Sequence, residues 1–194
     1  VIMTVSVEAV NSAPVIYDID DKQGYAEGDG LLWIDTGDPA SVEDRDSDNF
    51  DGGHLIVKIV NPDVDEDVLG ISSMSGIAVS GESNLTYEGS GIGSFTYDPV
   101  SATLDVTFDQ RATTEAVSAL LFNITYENTD TDNPTPTDRQ IEFTLSDGDG
   151  ATSEAVYATI SVEGVNDAPE IQNIGGDSVT YEERSEPVLL DLSE

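Results

Sequence analysis

The sequence predicts an all-β protein: an antiparallel Greek-key β-sandwich with one short helix inserted near residues 113–122. Three observations carry that expectation. Short runs rich in β-branched and aromatic residues recur along the chain, each bounded by Gly, Pro, Asn or Asp. Several runs alternate apolar and polar residues, as a strand with one buried face requires. An internal repeat is also present. Residues 1–19 (VIMTVSVEAVNSAPVIYDI) and 156–174 (VYATISVEGVNDAPEIQNI) are identical at 11 of 19 positions, among them Asn11/Asn166, Ala13/Ala168 and Pro14/Pro169. The chain therefore reads as a segment of a tandem array. Residues 1–11 would be the last strand of a preceding repeat, 12–167 a complete repeat, and 168–194 the opening strands of the next.

Within the complete unit the expected strands fall at residues 31–35, 54–60, 85–88, 94–98, 104–108, 139–146 and 153–162. In the run from His54, Leu55, Val57 and Ile59 share one face while Lys58 takes the other. Ile141, Phe143 and Leu145 repeat that pattern. Asp98-Pro99-Val100-Ser101 separates two such runs and predicts a hairpin turn. One stretch breaks the period of two. Val117, Leu120, Leu121 and Ile124 stand at helical spacing, and Thr113 or Thr114 supplies an N-cap. Seven or more short strands in a unit of this length indicate a sandwich.

Charge narrows the partners. The chain has 40 Asp and Glu against 6 Lys and Arg, a formal net charge of −34. Soluble domains of this size are comfortable with roughly 2–8 net charges. So acidic a surface repels nucleic-acid phosphate and anionic lipid, and neither is an expected partner. No apolar stretch approaches the roughly 18 residues of a membrane span, so no direct membrane insertion is expected. The chain opens without the pattern of a secretion signal, and it has no cysteine.

The acids are clustered. Glu43, Asp44, Asp46, Asp48 and Asp51 crowd one connection, residues 63–67 carry four acids in five positions, and Asp147 and Asp149 alternate with Gly148 and Gly150. Acids spaced by two aim carboxylates the same way, and such groups repel unless a cation lies between them. Oxygen donors without His or Cys select a hard cation, and a flexible set of six to eight oxygens selects calcium over magnesium. If consecutive strands reverse direction, residues 44–51, residues 147–150 and Asn11 share one end of the sandwich. Glu27, residues 63–67, Asn166 and Asp167 then share the other. Each end presents carboxylates beside a joint, where bound calcium would cement adjacent repeats of the same chain. A solvated acidic loop is the competing reading, strongest for residues 63–67 and for Asp130 and Asp132. An EF-hand is not expected, because Asn49 and Leu55 occupy the positions that need Gly and Glu.

VEGVNDAPEI resembles the joint of bacterial cadherin-like repeats and is similar to the linker of cadherins. VEDRDSDNFDGGHLIVKI and FTLSDGDGATSEAVYATISV resemble two further segments of that unit, in the same order. The resemblance is to tandem domains of large secreted RTX-type surface adhesins of Gram-negative bacteria, and it covers essentially residues 1–194. It implies a cadherin/Ig-like sandwich, an extracellular location on the bacterial cell surface, and a calcium-binding extender role in which Ca2+ rigidifies the joints between domains. By matched position it implies calcium ligands at Glu27, at the pair Asp44 and Asp46, at Asp147, and at the joint residues Asn166 and Asp167. Asp48 and Asp149 continue the same clusters, and Asn11 stands at the earlier joint. There Ser12 replaces the acid found at Asp167, which implies weaker calcium binding. The nonapeptide calcium repeat of RTX proteins is absent from this stretch.

Residues 69–125 are longer than a cadherin domain needs. That length supports an alternative, a peptide- or carbohydrate-binding module of the same adhesin, with Tyr87, Tyr97 and Tyr126 exposed. Packing of these tyrosines within a sheet is the preferred reading over exposure, as core burial is for Trp33, the only tryptophan. No enzyme is expected. His54 is the single histidine and begins a strand, the glycine-rich residues 89–93 lack a following Lys, and carboxylate pairs arise freely among 40 acids.

Overall fold

The structure, a computed structural model, describes residues 10–169 together with Met3, Thr4, Ser6, residues 182–184 and residues 186–187. The expected half-repeats at 1–11 and 168–194 lie largely outside the described residues. In chain order the elements are β1 (Val15–Tyr17), β2 (Lys22–Ala26), β3 (Leu32–Trp33), β4 (Ser41–Glu43), β5 (His54–Ile59), β6 (Asp67–Ile71) and β7 (Ile77–Ser80). There follow β8 (Asn84–Tyr87), β9 (Ser90–Asp98), β10 (Thr103–Phe108), α1 (Thr114–Leu121), β11 (Ile124–Asn128), β12 (Asp138–Leu145) and β13 (Val156–Glu163).

An eight-stranded sheet runs in the order β2-β13-β12-β5-β10-β9-β8-β7. A three-stranded sheet, β3-β11-β6, and the pair β1-β4 cover it, with α1 packed against β4. The architecture is a β-sandwich with one short helix. Its core is built by strict alternation: Leu55, Val57 and Ile59 of β5, Leu104, Val106 and Phe108 of β10, and Ile141, Phe143 and Leu145 of β12 are all buried. Each such side chain contributes about 1.5–3 kcal/mol by leaving water. Tyr25 and Tyr126 meet edge to face between the two layers, with ring centroids 5.2 Å apart.

The helix sits where the spacing placed it. Thr113 caps it, its hydroxyl accepting from the Ala116 N–H at 3.3 Å, and Ala116, Val117, Leu120 and Leu121 form the buried stripe. The β9–β10 turn is held by Asp98, which accepts from the Val100 N–H at 3.0 Å and the Ser101 hydroxyl at 2.7 Å. One pairing departs from the antiparallel expectation. β2 lies parallel to β13, from Lys22 opposite Thr159 to Ala26 opposite Glu163. These strands come from opposite ends of the unit, so no hairpin dictates their relative direction. Among the described residues, no helix is long and apolar enough to cross a membrane.

Candidate functional site

The end at which the chain enters the sandwich is made by two acidic loops, β4–β5 and β12–β13. They lie backbone against backbone. A Cβ on Gly53 would overlap the Ser146 carbonyl, and one on Gly148 would overlap the Asp51 carbonyl. Gly148 also has φ of +86°, which side-chain-bearing residues rarely adopt. The glycines beside the acids are therefore what let the acidic loops come together.

Asp147 organises the second loop and is 1% exposed. Its Oδ1 accepts from the N–H groups of Asp149 (2.7 Å), Gly150 (2.9 Å) and Ala151 (3.1 Å), and its Oδ2 accepts from Asn11 Nδ2 at 2.7 Å. Burial works to raise its pKa. The Ala151 N–H, the Asn11 amide and the two other N–H groups outweigh it and hold the carboxyl below its ordinary value.

Asp46, on the first loop, grips the entering chain from the other side. Both its oxygens accept from the Ser12 N–H, at 3.2 and 3.0 Å. Asp44 folds the loop itself, its Oδ1 accepting from the N–H groups of Asp46 and Ser47, each at 3.1 Å. Its second oxygen, Oδ2, is buried without a hydrogen-bond partner, as is the Ser47 hydroxyl. A buried carboxylate oxygen without a donor costs about 1–3 kcal/mol or more. All the candidate ligands here are oxygens, which suits a hard cation. Among the described residues, no three Asp, Glu or His side chains are grouped closely enough to hold a metal ion by themselves. Carboxylates alternate here with amide groups: Asp147 to Asn11, then Ser12 to Asp46. Asp48 and Asp149 project from the same loops as exposed side chains.

Glu27 meets the departing chain at the far end of β13. Its Oε2 accepts from the Val165 N–H at 2.8 Å, and its own N–H donates to the Glu163 carbonyl at 2.9 Å. Asn166 and Asp167 are exposed, with the Asn166 amide donating to the Asp167 carbonyl. The structure thus gathers Asn11, Asp44, Asp46 and Asp147 at one end and sets Glu27 beside the chain's exit from β13. Ser47 joins the first group. Nothing in its residue type or spacing singled it out, because its importance comes from burial.

The loop at residues 63–67 is only half solvated. Glu66 and Asp67 are buried around Arg139, itself 1% exposed. Arg139 Nε donates to Asp67 at 2.5 Å and its Nη2 to Glu66 at 3.4 Å. The Tyr126 hydroxyl donates to Asp67 Oδ1 at 2.6 Å, and Asn128 donates to Glu66 at 3.1 Å. These acids neutralise an internal cation, which spacing could not reveal because the partner is 72 residues away. The tyrosines follow the packing reading. Tyr126 is fully buried, Tyr97 is partly buried with its hydroxyl donating to the Asp67 carbonyl, and Tyr87 packs on the core. They do not form an exposed aromatic surface.

No family model matches the chain, and no curated protein does. Among solved structures, the chain is similar to the seventh ScaB type I cohesin from Pseudobacteroides cellulosolvens. The TM-score is 0.37 at 9% identity, over 82% of this chain and 98% of the cohesin.

Proposed function

We propose that this chain is a calcium-binding extender repeat of a secreted bacterial surface adhesin, in which calcium stiffens the joints between neighbouring repeats. The observation that supports the reading is the pair of unpartnered buried oxygens, Asp44 Oδ2 and Ser47 Oγ, inside the loop whose next acid holds the entering chain. At the entry end the ion would sit on Asp44 Oδ2 and the Ser47 hydroxyl, and Asp46, Asp147 and the amide oxygen of Asn11 would have to draw in to complete its shell. Glu27, Asn166 and Asp167 would hold an ion at the exit, while Asp48 and Asp149 add charge on the entry loops. Calcium would supply the positive charge that Asp44 lacks. It would also tie two loops that already grip residues 11 and 12, so that locking the loops locks the joint.

Thermal unfolding of the chain in calcium, in magnesium at equal concentration, and in EGTA tests this. Calcium at about a hundredfold excess over its Kd should add about 2.7 kcal/mol, seen as a higher melting temperature than in magnesium or EGTA. An unchanged melt in EGTA would count against the reading. An equal gain from magnesium would reduce it to general screening of the −34 charge.

A further inference from the structure

The chain enters the sandwich beside Asp46 and Asp147 and leaves it past Glu163, at the opposite end of β13. Tension along the chain therefore pulls residue 12 and residue 164 apart along one axis. Two strands follow the point of entry. β1 is paired with β4 over three positions. β2 is an edge strand, and its one neighbour in the sheet is β13, the strand that carries the load out. Because β2 and β13 are parallel, such a pull slides one along the other and does not prise them apart. The bonds of a parallel pair are evenly spaced. Here they run from the Thr159 N–H on the Asp21 carbonyl to the Glu27 N–H on the Glu163 carbonyl, each at 2.9 Å. That register puts the N–H groups of Gln23 and Tyr25 in the ladder. It leaves those of Gly24 and Ala26 on the free edge, where Ala26 donates to Asp29 instead. Side chains brace the pair: Lys22 meets Asp138 of β12 at 3.5 Å, the Tyr25 hydroxyl donates to the Asn128 carbonyl at 3.1 Å, and Glu27 holds the Val165 N–H.

We propose that the unit bears tensile load between its entry and its exit, and that the parallel β2–β13 pair is the latch that resists it. Under tension the hydrogen bonds of the pair share the load, and their rupture opens the whole unit. β1, with three paired positions, is released first and frees only the slack up to residue 21. β13 is held by β12 over six positions and by β2 over five, so β2 is the flank that yields. Once β2 slides off, Tyr25 leaves its place against Tyr126 between the two layers, and residues 22–163 lose the connection that spans the load path. The latch stands apart from the calcium reading. Glu27 is the one candidate ion ligand that belongs to it, and the ladder itself is backbone.

The chain has no cysteine, so single-molecule force handles can be placed by substitution. Val10→Cys with Val165→Cys, both at exposed positions, loads the pair in shear. Leu31→Cys with Val165→Cys pulls from the exit end alone, where the bonds open one after another. At equal loading rate the shear pull should need at least about twice the force, since it strains the bonds together and forced unfolding reads the barrier. Its rupture should free residues 22–163 in one step, roughly 3.3–3.6 Å for each residue. Gln23→Pro removes a ladder donor and should bring the shear force down toward the exit-end value. Gln23→Ala loses only the side-chain bonds to Asp20 and Thr36, and it should keep most of the force. Gly24→Pro should keep it too, because that N–H faces the free edge and a Cβ there meets nothing within 4 Å. Equal forces in the two directions would overturn the proposal without any change to β2. So would equal effects of Gln23→Pro and Gly24→Pro, or release of residues 22–163 in several steps. Repeating the shear pull in EGTA separates the latch from the calcium reading: a retained force supports the latch whatever calcium does to the melt, and a lost force overturns it.

Discussion

Asp147 carries more of the entry end than any other single side chain. Four donors converge on it, and one belongs to the incoming segment. Asp147→Ala would leave three loop N–H groups and the Asn11 amide without their acceptor. It should cost about 3 kcal/mol, measurable by urea unfolding. Because its folded-state pKa is depressed, its contribution is fully present above the ordinary carboxylate range and is lost as pH falls through the folded value. Asp147→Asn should therefore flatten the acid limb of the stability profile between those two values. Asp35 has the opposite sign. Its raised pKa means that ionisation at neutral pH works against the native state, so Asp35→Asn should leave the melting temperature unchanged or raise it. The place of Asp147 beside Asn11 at the entry end was legible from counting strand reversals, whereas its folding of its own loop was not. The orphaned oxygens of Asp44 and Ser47 were not legible either, since only the folded packing decides which oxygen loses its donor.

Elements with a simple periodicity are the ones the sequence discloses. β5, β10 and β12 alternate cleanly because each has one face on the core, and α1 is marked by its apolar stripe and its threonine cap. Thr113→Ala should destabilise the chain by about 1 kcal/mol in a thermal melt, and Thr113→Ser should restore most of that. Other strands carry conflicting signals. β6 begins with Asp67 and β11 ends in Glu127 and Asn128, polar residues that read as loop until Arg139 is seen to pair with Asp67. β2 has Gly24 in its interior and pairs with a strand from the far end of the unit. The buried ion pair gives a sharp expectation of its own. Arg139→Met alone leaves Asp67 and Glu66 buried without their cation and should cost about 3–5 kcal/mol, whereas adding Asp67→Asn should recover much of the loss. Urea unfolding of the two variants measures the difference.

At the scale of the whole molecule, a net charge of −34 is distributed so that carboxylates sit both where the chain enters the sandwich and where it leaves β13. The entering chain hangs on Asp147 and Asp46, and the departing chain on Glu27. Such an arrangement makes the seating of residues 11, 12 and 165 sensitive to whatever neutralises those acids. The placement of the acids at two ends followed from counting strand reversals, because most neighbouring strands are antiparallel. The one parallel pair involves β2, at the sheet edge, and leaves that count intact. Calorimetric titration of calcium into the chain and into Asp44→Asn tests the central claim most directly. The account predicts saturable binding by the natural sequence that magnesium at equal concentration does not reproduce, and at least about tenfold weaker binding by the variant. Indistinguishable isotherms for the two proteins, or no saturable binding by the first, would contradict it.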